Sequence, residues 1–268
     1  LLARDPRRAG RVNITGELVA DLLLGRASNE AAVHARAQRL GLDPQAPVVV
    51  GLVAAPENPQ RGIDVVRRAT GRLARERWVE LGDEVAFLVP AIELQGVIKA
   101  FRSLARSGDS AGWSVALSAC LSRLREAPEG LRQARFALAL WRSGAVPGPL
   151  LRFEAVEDLG LFSLLYYLWG NRAGEAFRRA VLGPLADHSN RTADLIETLQ
   201  AYLTWGSAGE VAARLGLHRN TVGYRLNRIS QLTGRDLNNP QHRLLLHVAV
   251  MLGLLPPPEP QPVDREAD

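Results

Sequence analysis

The side chains with the clearest capacity for chemistry lie between His218 and Ser230. This stretch contains three arginines and no acid. Asn220 and Asn227 can donate and accept hydrogen bonds on the edge of an adenine, while arginine can pair with guanine or with phosphate oxygens. The segment therefore predicts contact with double-stranded DNA.

Two short helices must present these side chains. Ser207 and Glu210 have the spacing of a capping box, in which the serine hydroxyl and the glutamate side chain satisfy free N–H groups at a helix start. The helix that begins there stops at Gly216, and a second helix begins near His218. Two short helices joined by a glycine-containing turn are typical of a helix-turn-helix, which we place at about residues 207 to 230.

The second helix has one apolar stripe. Val222, Leu226 and Ile229 recur at i, i+4 and i+7, so we expect them to be buried. Burying this stripe turns the polar side chains toward solvent, where DNA can reach them. The residues expected to face bases or backbone are Asn220, Tyr224, Asn227 and Arg228. Those expected to face phosphates are Arg219 and Arg225.

The charge of the chain permits a polyanionic partner without requiring one. Of its 268 residues, 33 are basic and 28 acidic, which gives a formal net charge of +5. Seven arginines and four acids lie between residues 191 and 254. An alternative stays open, because many three-helix domains have this spacing and surface arginines are often merely solvated. The chain would then be a small-molecule-sensing or protein-interaction module that does not bind DNA.

A second motif, at residues 81–90, contains the adjacent acids Asp83 and Glu84. Acids in a hairpin can hold metal ions for phosphoryl transfer, but that chemistry also needs a carboxylate at the end of the first strand. The first strand ends in Ala54-Ala55-Pro56, without an aspartate. We therefore predict that Asp83 and Glu84 are turn residues and that the chain is not an enzyme. A nucleotide cyclase is the weaker alternative.

No set of residues indicates a metal or cofactor site. The histidines outside the helix-turn-helix, which have no partners at metal-ligand spacing, are His34, His188, His242 and His247. With the single cysteine Cys120, neither a thiolate cluster nor an internal disulfide can form. We expect no cofactor and no bound metal.

Before residue 155, buried strands alternate with amphipathic helices. Strands are predicted at 48–54, 78–81, 85–89, 113–118 and 150–153. Helices are predicted at 12–25, 29–40, 62–77, 92–107 and 128–143, and the last of these has more apolar residues than one stripe requires. The order is β-α-β-β-α-β with a further α-β unit, so we predict a ferredoxin-like α+β domain. From about Leu159 onward the pattern predicts an all-α domain.

The C-terminal part resembles a known family. Its motifs are, in order, Leu-Ile-Glu-Thr-Leu (195–199), Ala-Ala-Arg-Leu-Gly-Leu-His-Arg-Asn-Thr (212–221), Tyr-Arg-Leu-Asn-Arg-Ile (224–229), Leu-Thr-Gly (232–234) and Asp-Leu (236–237). They look like the C-terminal helix-turn-helix of the PucR family, which includes the purine catabolism regulator and the sugar diacid regulator. The resemblance implies that His218 to Arg228 is the recognition helix, so His218 and Thr221 join the predicted DNA-binding residues. It also implies a trailing packing helix from Gln241 to Leu254.

The upstream part resembles a domain found in the same family. Residues 81–90 are similar to the Gly-Gly-Asp-Glu-Phe signature of diguanylate cyclases, but Leu81 replaces the first glycine and Val85 the phenylalanine. Over about residues 12 to 155 the chain looks like the degenerate GGDEF-like domain that precedes the helix-turn-helix in PucR-type regulators. The resemblance implies self-association or signal relay rather than catalysis.

These observations predict four segments. They are a basic linker at 1–11, the GGDEF-like domain at 12–155, the all-α domain at 156–255 and a disordered tail at 256–268. Because the chain begins at Leu1 and its only methionine is Met251, we expect an upstream part to be missing. No stretch reaches the roughly 20 apolar residues of a membrane span, so we expect a cytoplasmic protein. One recognition helix contacts few base pairs, so we expect a homodimer or higher oligomer.

Overall fold

The computed structural model describes residues 14–27, 29–55, 59–71, 77–107, 113–143, 145–146, 148–154, 161–187 and 192–255. These residues divide into two compact units, one before residue 160 and one after it. The segments predicted as a linker, 1–11, and as a tail, 256–268, lie outside the described residues.

The first unit contains a five-stranded sheet. Its strands are β1 (Val48–Ala54), β2 (Trp78–Leu81), β3 (Glu84–Pro90), β4 (Ser114–Leu117) and β5 (Leu150–Arg152). Their order across the sheet is β2-β3-β1-β4-β5, with β1 antiparallel to both β3 and β4, β2 antiparallel to β3, and β5 parallel to β4. The first four strands thus form the predicted ferredoxin-like arrangement, which β5 extends by one strand.

Strand β1 lies at the centre of this sheet. All seven of its residues are buried, as expected for a valine-rich strand that is covered on both faces. A glycine is required at position 51, because a Cβ atom there would lie 2.0 Å from the ring of Phe87 on β3. The close approach of Gly51 and Phe87 fills the space beside the central strand.

Helices cover both faces of the sheet. They are α1 (Ile14–Leu23), α2 (Glu30–Arg39), α3 (Pro59–Thr70), α4 (Leu94–Arg106) and α5 (Ala127–Arg142). Helices α3 and α4 pack on one face, which includes Val49 and Val53 of β1. Helices α1, α2 and α5 pack on the other face, which includes Val50 and Leu52. The side chains of β1 therefore alternate between two apolar cores, with the period of two that defines a strand.

Helix α5 is buried along most of its length. Phe136, Leu138 and Leu140 are all buried, so the apolar surplus noted in the sequence does not form an exposed surface. Gly130 allows the helix to approach the sheet, since a Cβ atom there would lie 2.6 Å from the side chain of Val50. Helix α5 therefore offers no apolar face for self-association.

The hairpin of β2 and β3 differs from the prediction at Glu84. Only Gly82 and Asp83 form the turn, with Gly82 at φ +64°, and Glu84 is the first residue of β3. Glu84 is 5% exposed, and its carboxylate accepts hydrogen bonds from Arg135 (3.3 Å) and Arg142 (3.2 Å) of α5. The prediction that Glu84 is a turn residue was wrong, because these two guanidinium groups compensate its burial in the strand.

Helix α3 also ends earlier than predicted. It stops at Thr70, whereas the predicted helix continued to Arg77, and residues 72–76 of that prediction lie outside the described residues. Arg77 precedes β2, and its guanidinium donates to the carbonyl oxygens of Leu40 and Gly41, both at 3.1 Å. These bonds satisfy carbonyls at the C-terminal end of α2, which have no partner within the helix.

The second unit is helical, as predicted. Its helices are α6 (Leu161–Leu168), α7 (Arg172–Leu182), α8 (Ala193–Trp205), α9 (Ala208–Leu215), α10 (Arg219–Thr233) and α11 (Pro240–Leu254). One apolar cluster joins α7, α8, α10 and α11 through Val181, Leu199, Ile229 and Leu246. Helix α10 is thereby held against three other helices along its inner side.

Candidate nucleic-acid interface

A small apolar core holds α8, α9 and α10 together. Ala201 of α8, Val211 and Ala212 of α9, and Val222 of α10 are all buried in one cluster. Val211 and Val222 are 0% exposed, so the first turn of α10 packs directly against α9. This core fixes the position of the helix that carries the predicted site.

Polar caps define the two helices and the turn between them. The hydroxyl of Ser207 accepts a hydrogen bond from the N–H of Glu210 at 3.2 Å, at the start of α9. Helix α9 ends at Gly216, whose φ of +65° is a conformation that residues with a Cβ atom rarely adopt. The N–H of Leu217 then donates to the carbonyl of Ala212 at 2.9 Å, which closes the helix end. Two short helices joined by a glycine turn are thus confirmed.

His218 is the N-terminal cap of α10. Its Nδ1 accepts a hydrogen bond from the N–H of Asn220 at 3.2 Å. Because Nδ1 must be unprotonated to accept, the proton of the neutral ring lies on Nε2. The side chain is exposed. His218 therefore stabilises the start of α10 and presents one donor to solvent.

The two sides of α10 differ in chemistry as the sequence predicted. Val222 and Ile229 are 0% exposed, and Leu226 is half-buried. The predicted site residues that lie exposed are His218, Arg219, Asn220, Thr221, Tyr224, Asn227 and Arg228. Tyr224 is 71% exposed, which is high for a side chain with a large apolar ring. The outer side of α10 is therefore one polar face with an aromatic ring near its centre.

Arg225, predicted to face phosphates, is instead turned toward α8. Its side chain is 18% exposed, and its Nη2 donates to the carboxylate of Asp194 at 2.7 Å. Its Nη1 donates to the hydroxyl of Thr198 at 3.2 Å. Arg225 therefore fastens α10 to α8. Neither Asp194 nor Thr198 could be predicted as a partner of Arg225, because no local spacing connects α8 with α10.

The other two arginines of α10 remain on its outer side. Arg228 donates from Nη1 to the Oε1 of Gln231 at 3.3 Å, one helical turn away. Arg219 has no ion-pair partner within the part of the chain that the structure describes. Both guanidinium groups can therefore pair with an external anion.

An open groove of about 730 Å³ runs beside the C-terminal half of α10. Asn227 and Gln231 line its α10 side, and Arg235 and Asn238 of the following loop line the other side. The loop begins at Gly234, where φ is +64° and the helix ends. Arg235 and Asn238 were not among the predicted site residues, although Gly234 marks the end of a helix and a basic residue follows it directly.

Metal-binding clusters and membrane spans are both absent from the described residues. Among them, no group of three or more His, Cys, Asp or Glu side chains could hold a metal ion. His242 instead accepts a hydrogen bond at Nδ1 from the N–H of Asp236, at 3.0 Å. None of the described helices is both long enough and apolar enough to cross a membrane.

Two family models match the chain. Residues 195–252 match the PucR C-terminal helix-turn-helix domain, and this range contains α9, α10 and the turn between them. Residues 24–140 match the GGDEF-like domain, a range that contains strands β1 to β4. The two matches follow each other along the chain in the predicted order.

Three relatives illustrate the extent of the similarity. The chain is 41% identical over 125 residues to an uncharacterized protein of Mycobacterium tuberculosis, covering 46% of this chain and 28% of that protein. It is 29% identical over 274 residues to the carbohydrate diacid regulator of Escherichia coli, covering 94% of this chain and 67% of that protein. It is 34% identical over 159 residues to an uncharacterized protein of Thermomonospora curvata, covering 58% of this chain and 82% of that protein. The match spans less than a third of the mycobacterial relative.

Proposed function

Because the chain belongs to the PucR family of helix-turn-helix proteins, we propose that it is a sequence-specific DNA-binding transcriptional regulator whose helix α10 enters the major groove. One observation carries the proposal. The side of α10 opposite Val222 and Ile229 is exposed, contains arginine and asparagine, and has no acid. A helix with this face fits the width of the major groove and has the groups that pair with base edges.

The exposed residues divide by the contacts they can make. Asn220 and Asn227 can form two hydrogen bonds each with an adenine, and the ring of Tyr224 can contact a thymine methyl group. Arg219 and Arg228 can pair with phosphates or with guanine. Arg225 is not included, because the carboxylate of Asp194 already holds its guanidinium.

The N-terminal end of α10 supplies further contacts. His218 and Thr221 are exposed in the first turn. In a helix-turn-helix, the N-terminal residues of the recognition helix contact the base edges. His218 can donate from Nε2 and Thr221 from its hydroxyl, so we assign both residues to the interface.

The protein acts as a homodimer or higher oligomer in this proposal. A single recognition helix reads only a few base pairs, and dimers gain affinity by binding two half-sites about one helical turn apart. The first unit, which contains the five-stranded sheet and which we call the sheet unit, serves self-association or signal relay. A protein that regulates transcription in a bacterial cell works in the cytoplasm.

The sheet unit has no catalytic role in the proposal. Glu84, the second acid of the cyclase-like motif, is buried and bound by Arg135 and Arg142. Ala54 lies beside Glu84 in the sheet, where phosphoryl transfer with two metals would need a carboxylate. The E. coli relative is named as a regulator, which supports the same assignment.

The proposal is tested by fluorescence anisotropy with labelled duplexes. The chain is titrated into a duplex from the region upstream of its own gene and into an unrelated duplex of equal length, at several salt concentrations. We expect tighter binding to the upstream duplex, and loss of that preference in the double variant Arg219→Ala/Arg228→Ala.

A matched control variant removes two positive charges from a part of the chain outside the helix-turn-helix. Arg26 and Arg39 are exposed and lie in the sheet unit. The variant Arg26→Ala/Arg39→Ala is expected to keep the preference for the upstream duplex. Equal affinity of the unchanged chain for both duplexes would reject sequence-specific binding, and binding to neither would favour the protein-interaction alternative.

A further inference from the structure

One helical layer of the sheet unit, formed by α3 and α4, has a large net positive charge. Helix α3 has three basic residues and one acid, and helix α4 has three basic residues and no acid. Their combined net charge of +5 equals the formal net charge of the whole chain. The rest of the chain sums to zero because its basic regions, such as residues 191–254, are balanced by acidic ones elsewhere.

Helix α4 presents its basic residues as a stripe. Lys99, Arg102 and Arg106 are spaced at i, i+3 and i+7, so they lie on one side of the helix and span about 10 Å. All three are exposed. Within the described residues, none of the three forms an ion pair, whereas the ion-paired arginines include Arg135, Arg142 and Arg225. The three charges of the stripe therefore remain available to an external anion.

The opposite side of α4 explains why the stripe faces solvent. Val97, Ile98 and Phe101 are buried in the apolar core beneath the helix. Helix α3 packs beside α4 on the same face of the sheet and adds Arg67, which is exposed and lies 5.4 Å from the ring centre of Trp78. The two helices therefore form one outer surface, which we call the α3-α4 surface, with Asp64 as its acid.

We propose that the α3-α4 surface is a second DNA-binding surface, which contacts the phosphate backbone without reading sequence. The inference rests on the proposed function, because α10 brings the duplex to the same chain. Because both surfaces belong to one chain, phosphate contacts that are weak alone add to the affinity for a duplex that both surfaces reach. Exposed lysine and arginine without internal partners are the groups that release counterions from DNA.

The chemistry of the surface favours duplex DNA over two other negatively charged partners, an anionic membrane and a single-stranded nucleic acid. A helix that binds a membrane inserts an apolar side into the lipid, but the apolar side of α4 is buried against the sheet. Single-stranded nucleic acid is bound by stacking on exposed aromatic rings. The aromatic residue of α4, Phe101, is 0% exposed. A surface with charge alone matches a regular array of phosphates.

The test compares two triple variants of equal charge. One is Lys99→Gln/Arg102→Gln/Arg106→Gln in the stripe. The other is Arg26→Gln/Arg39→Gln/Arg125→Gln, which changes three exposed arginines among the elements that cover the opposite face of the sheet. Anisotropy is measured with the upstream duplex and an unrelated duplex, each about 50 base pairs or roughly five helical turns, from roughly 50 to 200 mM salt.

The slope of log K against log salt gives the number of phosphate contacts. Each contact contributes about 0.9 to the magnitude of the slope. We therefore expect the magnitude of the slope to fall by roughly 2 to 3 in the stripe variant and by less than about 1 in the control variant. The preference for the upstream duplex should persist in the stripe variant, because α10 is unchanged. Equal slopes for the two variants would overturn the inference.

Two further outcomes separate this inference from the proposed function. If the unchanged chain has no preference between duplexes but the stripe variant still loses slope, the proposed function fails and the α3-α4 surface remains a DNA-binding surface. If the stripe variant keeps the slope but loses binding to vesicles that contain phosphatidylserine, the surface binds lipid and the inference is overturned.

Discussion

Arg225 of α10 and Asp194 of α8 form an ion pair with an N···O distance of 2.7 Å. Thr198, one turn further along α8, accepts a second hydrogen bond from the same guanidinium at 3.2 Å. The two bonds oppose rotation of α10 about its own axis relative to α8, and they add to the buried contacts of Val222 and Ile229. The orientation of its polar face therefore depends on a residue that lies outside that face.

This pairing predicts that Arg225 positions α10 and does not contact phosphate. We expect Arg225→Ala and Asp194→Ala to lower the free energy of unfolding by about 1 kcal/mol, a modest value because Asp194 is 67% exposed. Both variants should weaken DNA binding while keeping the salt slope of the unchanged chain. Arg219→Ala should lower that slope by about 0.9. Anisotropy at several salt concentrations measures both quantities, and an equal fall in slope for Arg225→Ala and Arg219→Ala would show that Arg225 contacts phosphate.

The buried acid of the β2-β3 hairpin gives a prediction about stability. We expect Glu84→Ala to lower the free energy of unfolding by about 3 kcal/mol, because it leaves the largely buried guanidinium of Arg135 without its carboxylate. Asp83→Ala is the control, since that carboxylate is 55% exposed, and it should cost less than about 1 kcal/mol. Urea unfolding followed by circular dichroism compares the two. Similar losses in both variants would contradict a structural role that is specific to Glu84.

Two glycines of the sheet unit are expected to respond in opposite directions to alanine. A Cβ atom at Gly51 would overlap the ring of Phe87, so Gly51→Ala should destabilise the protein by about 2 kcal/mol or more. A Cβ atom at Gly96 in α4 meets nothing within 4 Å, so Gly96→Ala should stabilise the protein by up to about 1 kcal/mol. Thermal and urea unfolding test the pair, and a stabilised Gly51→Ala variant would contradict the packing of β1 on β3.

Patterns within a single element predicted most of the fold. The short apolar run rich in valine predicted β1 with the bounds that the structure has, and the i, i+4, i+7 stripe of α10 identified which side is buried. Both patterns arise from one element facing one core. They do not depend on which element lies opposite.

Contacts between distant elements account for what the sequence did not predict. Arg225 borders the apolar stripe, three residues after Val222 and four before Ile229, and the sequence does not show that Asp194 on another helix pairs with it. Glu84 has the polarity of a turn residue, and only two arginines of α5 allow it to be buried. In both cases an ion pair between elements determines the burial of a charged side chain, which local patterns do not encode.

The half-buried His247 of α11 predicts a dependence of stability on pH. Burial lowers the pKa of His247 below its ordinary value of 6.5. Between the lowered pKa and 6.5, the unfolded chain therefore binds more protons than the folded chain, so stability rises with pH in this window. We expect the free energy of unfolding to fall as the pH drops through 6.5 toward the lowered pKa.

The variant His247→Gln removes this group from the titration. Urea unfolding at several pH values between about 5 and 8 should give a flatter pH dependence in His247→Gln than in the unchanged chain. An unaltered dependence would mean that other groups cause the loss of stability in acid.

The measurement that tests the central claim most directly is selection from a pool of randomised duplexes by the chain and by the variant Asn220→Ala/Asn227→Ala. Because the pool contains all short sequences, the operator does not have to be identified beforehand. If α10 reads bases, the unchanged chain will enrich one sequence motif, and the variant will lose its preference at some positions of that motif while still binding DNA. Recovery of no motif by the unchanged chain, or of the same motif by both proteins, would contradict base recognition by the outer face of α10.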